Sequence, residues 1–96
     1  MKIAIASDHA GLDFKALLRD HLASIGHEVA DLGPMTTESV DYPDFGKKVA
    51  RGVAAGEFER GVLVCGTGQG MAMTANKIAG VRAAVVSDVF SARMAM

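Results

Sequence analysis

The chain has 96 residues, half of them hydrophobic, which is enough for one folded domain and too few for two hydrophobic cores. The 10 basic and 11 acidic residues give a formal net charge of -1, which argues against a nucleic-acid-binding or membrane-binding surface, since either would concentrate Lys and Arg. The amino-terminal apolar run is too short for a signal peptide, no run is long enough to span a membrane, and a single cysteine suits a reducing compartment, so we expect a cytoplasmic protein.

The first part of the chain predicts a strand, a helix and a second strand. The run Ile3-Ala4-Ile5-Ala6 is typical of a buried strand, and Val29-Ala30-Asp31-Leu32 predicts the second one. Between them, apolar residues recur at helical spacing, and Gly26 occupies the position expected of a helix C-cap. The predicted buried face of this helix consists of Phe14, Leu17, Leu18, His21, Leu22 and Ile25. Its predicted exposed face carries Asp13, Lys15, Arg19 and Asp20.

A polar loop over residues 33–40 leads to a second helix. Asp41-Tyr42-Pro43 combines an acidic capping residue with a proline in the first turn, which is typical of a helix start. The buried stripe of this helix is predicted to comprise Phe45, Val49 and Val53.

The last third of the chain continues the alternation of strands and helices. Residues 61–65 form the clearest buried strand, and the glycine-rich run 66–70 ends it. Met71, Ala75 and Ile78 then predict a helix that ends near Gly80. Residues 81–86 predict a fourth strand, and Asp88 begins a further helical pattern.

Alternating apolar strands and helices indicate parallel βαβ units with helices on both faces of the sheet. We therefore predict a single α/β domain over residues 1–96, a three-layer α/β/α sandwich of Rossmann-like or flavodoxin-like type with right-handed crossovers. The carboxyl-terminal segment 88–96 stops inside an amphipathic pattern without a Gly or Pro to close it, so we expect the domain to be incomplete at this end.

Two segments follow strands at the edge where open α/β sheets bind ligands, namely Ser7–Gly11 and Cys65–Gly70. Each precedes a helix and can direct backbone N–H groups at an anion. Gly66, Gly68 and Gly70 match neither a Walker A motif nor a dinucleotide-binding fingerprint. These glycines either make a tight turn or bring N–H groups close to an oxyanion.

Individual side chains in these segments allow two interpretations each. Cys65 is either an inert buried thiol or a base whose pKa is lowered by the following helix. Asp8 either caps a helix or accepts hydrogen bonds from hydroxyls, and His9 is either solvated or placed to face a phosphate. Tyr42 either packs its loop or lines a ligand cleft. The three dispersed histidines and one cysteine have no metal-ligand spacing, so we expect no metal site.

Three segments together resemble a known family. Ser7-Asp8-His9-Ala10-Gly11 is similar to its first-strand motif, and Ser39-Val40-Asp41-Tyr42-Pro43-Asp44 is similar to the start of its second helix. The run from Cys65 to Met71, continuing through 75–84, is similar to its signature block. The family is ribose-5-phosphate isomerase B, which is grouped with the galactose-6-phosphate isomerase subunits. The resemblance covers essentially all 96 residues.

The resemblance implies isomerisation between ribose 5-phosphate and ribulose 5-phosphate in the non-oxidative pentose phosphate pathway, without metal or other cofactor. It implies that Cys65 is the base and that Thr67 helps to hold the reacting end of the sugar. The backbone of Gly66, Thr67, Gly68, Gln69 and Gly70 would stabilise the enediolate. Asp8 would bind sugar hydroxyls, His9 would face the phosphate, and a homodimer would share its active sites. Tyr42 joins these residues as a candidate for substrate binding.

The resemblance also implies residues that cannot be mapped onto this chain. Family members continue into a His-Asn-Asp segment with the ring-opening histidine, and then to arginines that bind the phosphate. We therefore expect weak or absent activity from the 96 residues alone. The alternative functions are a galactose-6-phosphate isomerase subunit and a non-catalytic phosphate-binding module.

Overall fold

The computed structural model describes residues 1–8, 10–34, 42–65 and 69–95. Three strands and four helices follow one another along these residues in the order β-α-β-α-β-α-α. They are β1 (Lys2–Ser7), α1 (Leu12–Ser24), β2 (Glu28–Asp31), α2 (Tyr42–Ala54), β3 (Arg60–Val64), α3 (Gln69–Asn76) and α4 (Val89–Met94). The first three predicted strands are confirmed to within one or two residues at each end.

The strands form a parallel sheet in the order β2-β1-β3. The chain leaves β1 for β2 on one side through α1, and then crosses β1 to reach β3 through α2. Crossovers between parallel strands are right-handed as a rule, and two right-handed crossovers in opposite directions place their helices on opposite faces of the sheet. Helix α3 packs on α2. The predicted three-layer α/β/α architecture is confirmed.

The core lies around β1, where four consecutive apolar residues from Ile3 to Ala6 are buried. On one face, Ala4 and Ala6 pack against Val49 of α2, with Phe45 and Val53 packed around them. The predicted stripe of the second helix is therefore confirmed. An ideal Cβ on Gly61 would lie 2.5 Å from Cγ1 of Val49, so glycine at this position lets α2 approach β3 closely.

The predicted orientation of α1 is wrong in part, since only Leu18 and Leu22 of the predicted buried face are half-buried. Lys15, which was placed on the exposed face, is 1% exposed, whereas Phe14 and Leu17 of the predicted buried face are 57% and 70% exposed. The Lys15 side chain can be buried because its ammonium group donates to Asp31 at the end of β2. Gly11 at the start of the same face has no Cβ to keep the helix away from β3. Small size and charge pairing, rather than hydrophobicity, decide which face of α1 meets the sheet.

The predicted fourth strand is also wrong. Residues 81–87 have no regular secondary structure, and the sheet has three strands within the described parts of the chain. The Asn76 side chain binds both backbone groups of Ala83, accepting from its N–H at 2.7 Å and donating to its carbonyl at 3.0 Å. These hydrogen bonds replace strand pairing at Ala83 and hold the segment to the end of α3. Helix α3 itself ends at Asn76, earlier than the predicted end near Gly80.

Two predicted helix ends agree with the structure. Gly26 follows α1 with a φ of 99° and donates to the carbonyl of Ala23, while His27 donates to Leu22, which together make a Schellman motif. At the start of α4, the Asp88 carboxylate accepts from the Ser91 N–H at 2.7 Å. Local chemistry is sufficient to set these two boundaries.

Candidate active site at the carboxyl edge of the sheet

The ends of β1 and β3 bring Asp8 and Cys65 to neighbouring positions. Ser7 pairs with Val64 in the parallel register, and the Asp8 N–H donates to the Val64 carbonyl at 3.0 Å. Asp8 and Cys65 are the residues that follow these two paired positions. Each segment was predicted to follow a strand at its carboxyl end, and the strand order β2-β1-β3 places these two strand ends next to each other.

The Asp8 carboxylate closes the turn that leads into α1. Its Oδ1 accepts from the Gly11 N–H at 2.8 Å, which holds the side chain in one orientation. The N-cap position of α1 is Gly11 rather than Asp8, and among the described residues no side chain caps this helix end. Asp8 is half-buried. The helix-capping interpretation of Asp8 therefore does not apply in its simple form, because its carboxylate orders the preceding turn instead.

Gly11 brings the start of α1 into direct contact with the end of β3. An ideal Cβ at this position would lie 2.9 Å from both the carbonyl oxygen and Cγ1 of Val64. The backbone oxygen cannot move away cheaply, since it already accepts from Asp8. Any larger residue at position 11 would therefore separate the Asp8 turn from the strand that carries Cys65.

Cys65 is half-buried, immediately beyond the last residue of β3. It lines a cleft of about 1650 Å³ that runs along β3 towards residues 81–95. Small-molecule pockets are usually about 300–1,000 Å³, so this space is a broad groove and not a closed pocket. Cys65 therefore lines an open groove rather than the closed core.

Several predicted site residues lie outside the part of the chain that the structure describes. These are His9, Gly66, Thr67 and Gly68. Tyr42 and Gln69 are the first residues of α2 and α3, and their side chains also lie outside the described part. Gly70 is in the first turn of α3, where its carbonyl accepts from the Thr74 hydroxyl at 2.9 Å. The roles assigned to all these residues remain predictions.

A buried ion network behind the Asp8 turn was missed in the sequence. The Lys15 ammonium contacts Asp31 Oδ1 at 2.8 Å, and the Arg19 guanidinium reaches Asp31 Oδ2 at 3.1 Å from the more exposed side. Gly33 N–H also donates to Asp31 at 3.0 Å. The helical spacing of Lys15 and Arg19 was visible, but it is equally typical of a solvated face. No signal in the sequence identified Asp31 as their common partner.

This network changes the ionisation of Asp31. Burial acts to raise the pKa of its carboxyl group, but the hydrogen bonds from Lys15, Gly33 and Arg19 and the charge of Lys15 act to lower it. The hydrogen bonds and the charge together outweigh the effect of burial, so the pKa of Asp31 lies below its ordinary value. Asp31 is therefore ionised at neutral pH and pairs with both cations.

Ser7, beside Asp8, carries a second polar group that the sequence did not single out. Its side chain is fully buried, and among the described residues its hydroxyl has no hydrogen-bond partner. Elsewhere in the described chain, no three His, Cys, Asp or Glu side chains group together as metal ligands. Likewise, no helix within the described ranges is long and apolar enough to cross a membrane.

The amino-acid sequence is similar to those of known proteins over almost the whole chain. The chain is 45% identical over 93 residues to ribose-5-phosphate isomerase B of Escherichia coli, with 97% of this chain and 62% of that protein covered. It is 46% identical over 95 residues to the galactose-6-phosphate isomerase subunit LacB of Clostridium acetobutylicum, covering 99% of this chain and 55% of the relative.

Solved structures agree with the sequence comparison. Ribose-5-phosphate isomerase B of Clostridium thermocellum superposes with a TM-score of 0.96 at 52% identity, covering 99% of this chain and 64% of that one. The chain therefore spans less than two thirds of the length of these relatives. A family model described as Ribose/Galactose Isomerase matches residues 3–96. This chain belongs to the ribose/galactose isomerase family.

Proposed function

We propose that this chain belongs to an aldose–ketose isomerase that interconverts ribose 5-phosphate and ribulose 5-phosphate, with Cys65 as the base. The observation that carries the proposal is the placement of Cys65 at the end of β3, beside Asp8 at the end of β1, on the edge of a parallel sheet where ligands bind. Membership of the family and the ribose-5-phosphate isomerase B relatives support it.

The reaction needs one base and a site for developing negative charge. The Cys65 thiolate takes the proton from C2 of the open-chain aldose, and the C2–H electron pair forms the C1–C2 double bond of an enediolate. The thiol then returns the proton to C1, while O1 gains a proton and the O2 hydroxyl loses one, which yields the ketose. Without stabilisation of the enediolate oxygen, the C2 hydrogen is too weak an acid, and one lost oxyanion donor costs about 3–4 kcal/mol in other enzymes.

The remaining site residues serve binding and stabilisation in this proposal. Asp8 accepts hydrogen bonds from sugar hydroxyls, and the Gly11 N–H on its Oδ1 keeps it oriented for that role. The backbone of Gly66, Gly68, Gln69 and Gly70 donates to the enediolate oxygen, and Thr67 holds the reacting end. His9 faces the phosphate, and Tyr42 lines the sugar site. The protein acts as a cytoplasmic homodimer with shared sites and needs no cofactor.

Solvent exchange at C2 tests the base without requiring complete turnover. The purified chain is incubated in D2O with ribose 5-phosphate, and loss of the C2 proton signal is followed by NMR. A parallel reaction uses erythrose 4-phosphate, whose O4 is phosphorylated and therefore cannot close a furanose ring. This substrate bypasses ring opening, so it separates the function of the base from that of a ring-opening acid.

Exchange of erythrose 4-phosphate is expected with the unmodified chain and should fall by at least about 100-fold in Cys65→Ser, since general bases typically contribute 10²–10⁴-fold. Ser24→Ala, at the opposite end of α1, is the matched control and should exchange normally. Binding of erythrose 4-phosphate without exchange would contradict the proposal and favour a phosphate-binding module. Full exchange in Cys65→Ser would show that another group is the base.

A second substrate class is favoured by one specific comparison. The LacB subunit of galactose-6-phosphate isomerase is 46% identical to this chain, about as similar as the E. coli ribose-5-phosphate isomerase B. Galactose 6-phosphate should therefore be included in the exchange assay. Faster exchange with the hexose phosphate than with the pentose phosphate would reassign the substrate while leaving Cys65 as the base.

A further inference from the structure

Lys15 is buried to an extent that is unusual for a lysine. It has the largest of the fully buried side chains in the described chain, with 1% of its surface exposed. Lysine is almost never fully buried unless it is paired, because its ammonium group loses its hydration. Here Nζ donates to Asp31 Oδ1 at 2.8 Å and to the Pro34 carbonyl at 2.5 Å. Both acceptors belong to one short segment, residues 31–34, at the end of β2.

Segment 31–34 is also attached to the strand that carries Asp8. The Gly33 carbonyl accepts from the Ser7 N–H at 3.2 Å, and the Leu32 N–H donates to Ile5 at 2.9 Å. The next amide along the chain, that of Asp8, donates to Val64 on the opposite side. The carboxyl end of β1 is therefore hydrogen-bonded on both sides, to segment 31–34 on one side and to β3 on the other.

Stability alone does not account for a lysine at this position. A buried ion pair can often be replaced by apolar residues of similar volume with no loss of stability. What an apolar pair cannot do is direct donors at two defined oxygens. Lys15 lies in the first turn of α1, and Asp8 closes the turn just before that helix through Gly11. The ammonium group of Lys15 thus connects the start of α1 to segment 31–34.

We propose that Lys15 is a positioning residue for the sugar-phosphate site: by binding Asp31 and the Pro34 carbonyl, it holds segment 31–34 against Ser7 and thereby holds Asp8 in place. This inference rests on the proposed function, in which Asp8 binds the substrate. Lys15 itself does not touch the ligand. Arg19 supports it from the exposed side by binding the other oxygen of Asp31.

Amide hydrogen exchange in the 15N-labelled chain tests the positioning directly. In Lys15→Met, the Ser7 amide should exchange at least about tenfold faster relative to the adjacent Asp8 amide, because only the former donates to segment 31–34. The Kd for ribose 5-phosphate, measured by calorimetry, should rise by about tenfold, which corresponds to about 1.4 kcal/mol. Lys47→Met, at an exposed position of α2, is the matched control and should change neither value.

A double variant, Lys15→Met/Asp31→Asn, separates positioning from folding, because it keeps a side-chain oxygen that accepts from the Gly33 N–H. It removes both charges together, so it should fold even if the single variant does not. Its Ser7 amide should still exchange faster than the Asp8 amide, and its affinity for ribose 5-phosphate should still be reduced. Normal affinity in this folded variant would overturn the proposal. So would an equal acceleration of the Ser7 and Asp8 amides, which would show a global loss of stability only.

Failure of the proposed function gives a different result. If the unmodified chain binds no ribose 5-phosphate, the proposed function is wrong, and the ligand part of this inference falls with it. The exchange of Ser7 against Asp8 then still decides whether Lys15 holds the segment. If the unmodified chain binds the sugar and Lys15→Met binds it equally well, the positioning role is wrong while the proposed function stands.

Discussion

The sheet-facing side of α1 and the helix α4 differ in which kinds of side chain they bury. On the β2 side, charged residues are buried, since Lys15 is 1% exposed and the Asp31 side chain 9% exposed. In helix α4, apolar residues are exposed instead, with Phe90 at 73% and Met94 at 71%. The comparison shows that burial follows available partners more closely than hydrophobicity. Lys15 is buried because two acceptors bind its ammonium group, whereas among the described residues Phe90 has no such burial.

The total surface of the chain reflects this asymmetry. Its accessible area is 6183 Å², roughly a fifth more than the about 5,200 Å² expected for a folded monomer of this mass. The radius of gyration of 12.3 Å is nevertheless that of an ordinary compact domain, for which about 12.5 Å is expected. The larger surface is therefore not accompanied by an expanded chain.

The largest expected effect comes from breaking the pair on the β2 side. Asp31→Leu leaves the Lys15 ammonium buried beside an apolar side chain and should lower the free energy of unfolding by about 3–5 kcal/mol. Urea denaturation followed by circular dichroism measures this loss. Lys15→Met/Asp31→Leu should recover most of it, because neither charge is then left unpaired. A double variant no more stable than Asp31→Leu would show that the pair itself contributes net stability.

A smaller effect is expected from titrating the same pair. The pKa of Asp31 is lowered below its ordinary value of 3.8, so the folded state binds this proton less readily than the unfolded state. The resulting stabilisation is fully present above pH 3.8 and is lost as the pH falls from there through the folded pKa. Urea denaturation at pH values from about 6 down to about 2.5 should show this loss of stability. Asp31→Asn should show a shallower decline, and an unchanged slope would contradict the assignment.

The smallest effect is expected on the exposed apolar surface. Leu17→Gln and Phe90→Gln change side chains that are 70% and 73% exposed, so each should alter the free energy of unfolding by no more than about 0.5 kcal/mol. The same denaturation experiment measures both, with Val49→Ala, at a 2% exposed position, as the buried comparison. A loss above about 2 kcal/mol in either exposed variant would show that these faces are covered in solution.

The fold could be predicted wherever local chemistry decides the outcome. Apolar runs marked β1 and β3, the stripe of Val49 marked α2, and Gly26 and Asp88 marked two helix ends. The placement of Asp8 and Cys65 at the carboxyl ends of strands followed from the pattern of elements, whereas their neighbouring positions depend on the strand order β2-β1-β3. The roles of these two residues, and of the glycine loop between Gly66 and Gly70, remain predictions.

Three features could not be read from local patterns. The exposed face predicted for α1 contains Lys15, and its burial depends on Asp31, which is 16 residues further along the chain. The run 81–86 has the composition of a strand, but Asn76 binds the backbone of Ala83 in place of a neighbouring strand. The accessible cleft beside Cys65 likewise results from how this segment lies against β3.

The sequence by itself determined the order of strands and helices as far as α3, two of the helix boundaries, and the family to which the chain belongs. These depend on side-chain periodicity, capping residues and motifs, all of which act over a few residues. Only the tertiary structure decided which face of α1 is buried and that residues 81–87 do not form a strand. The physical reason is that hydrogen-bond and ion-pair partners, unlike periodicity, are distributed along the chain and meet only when it folds.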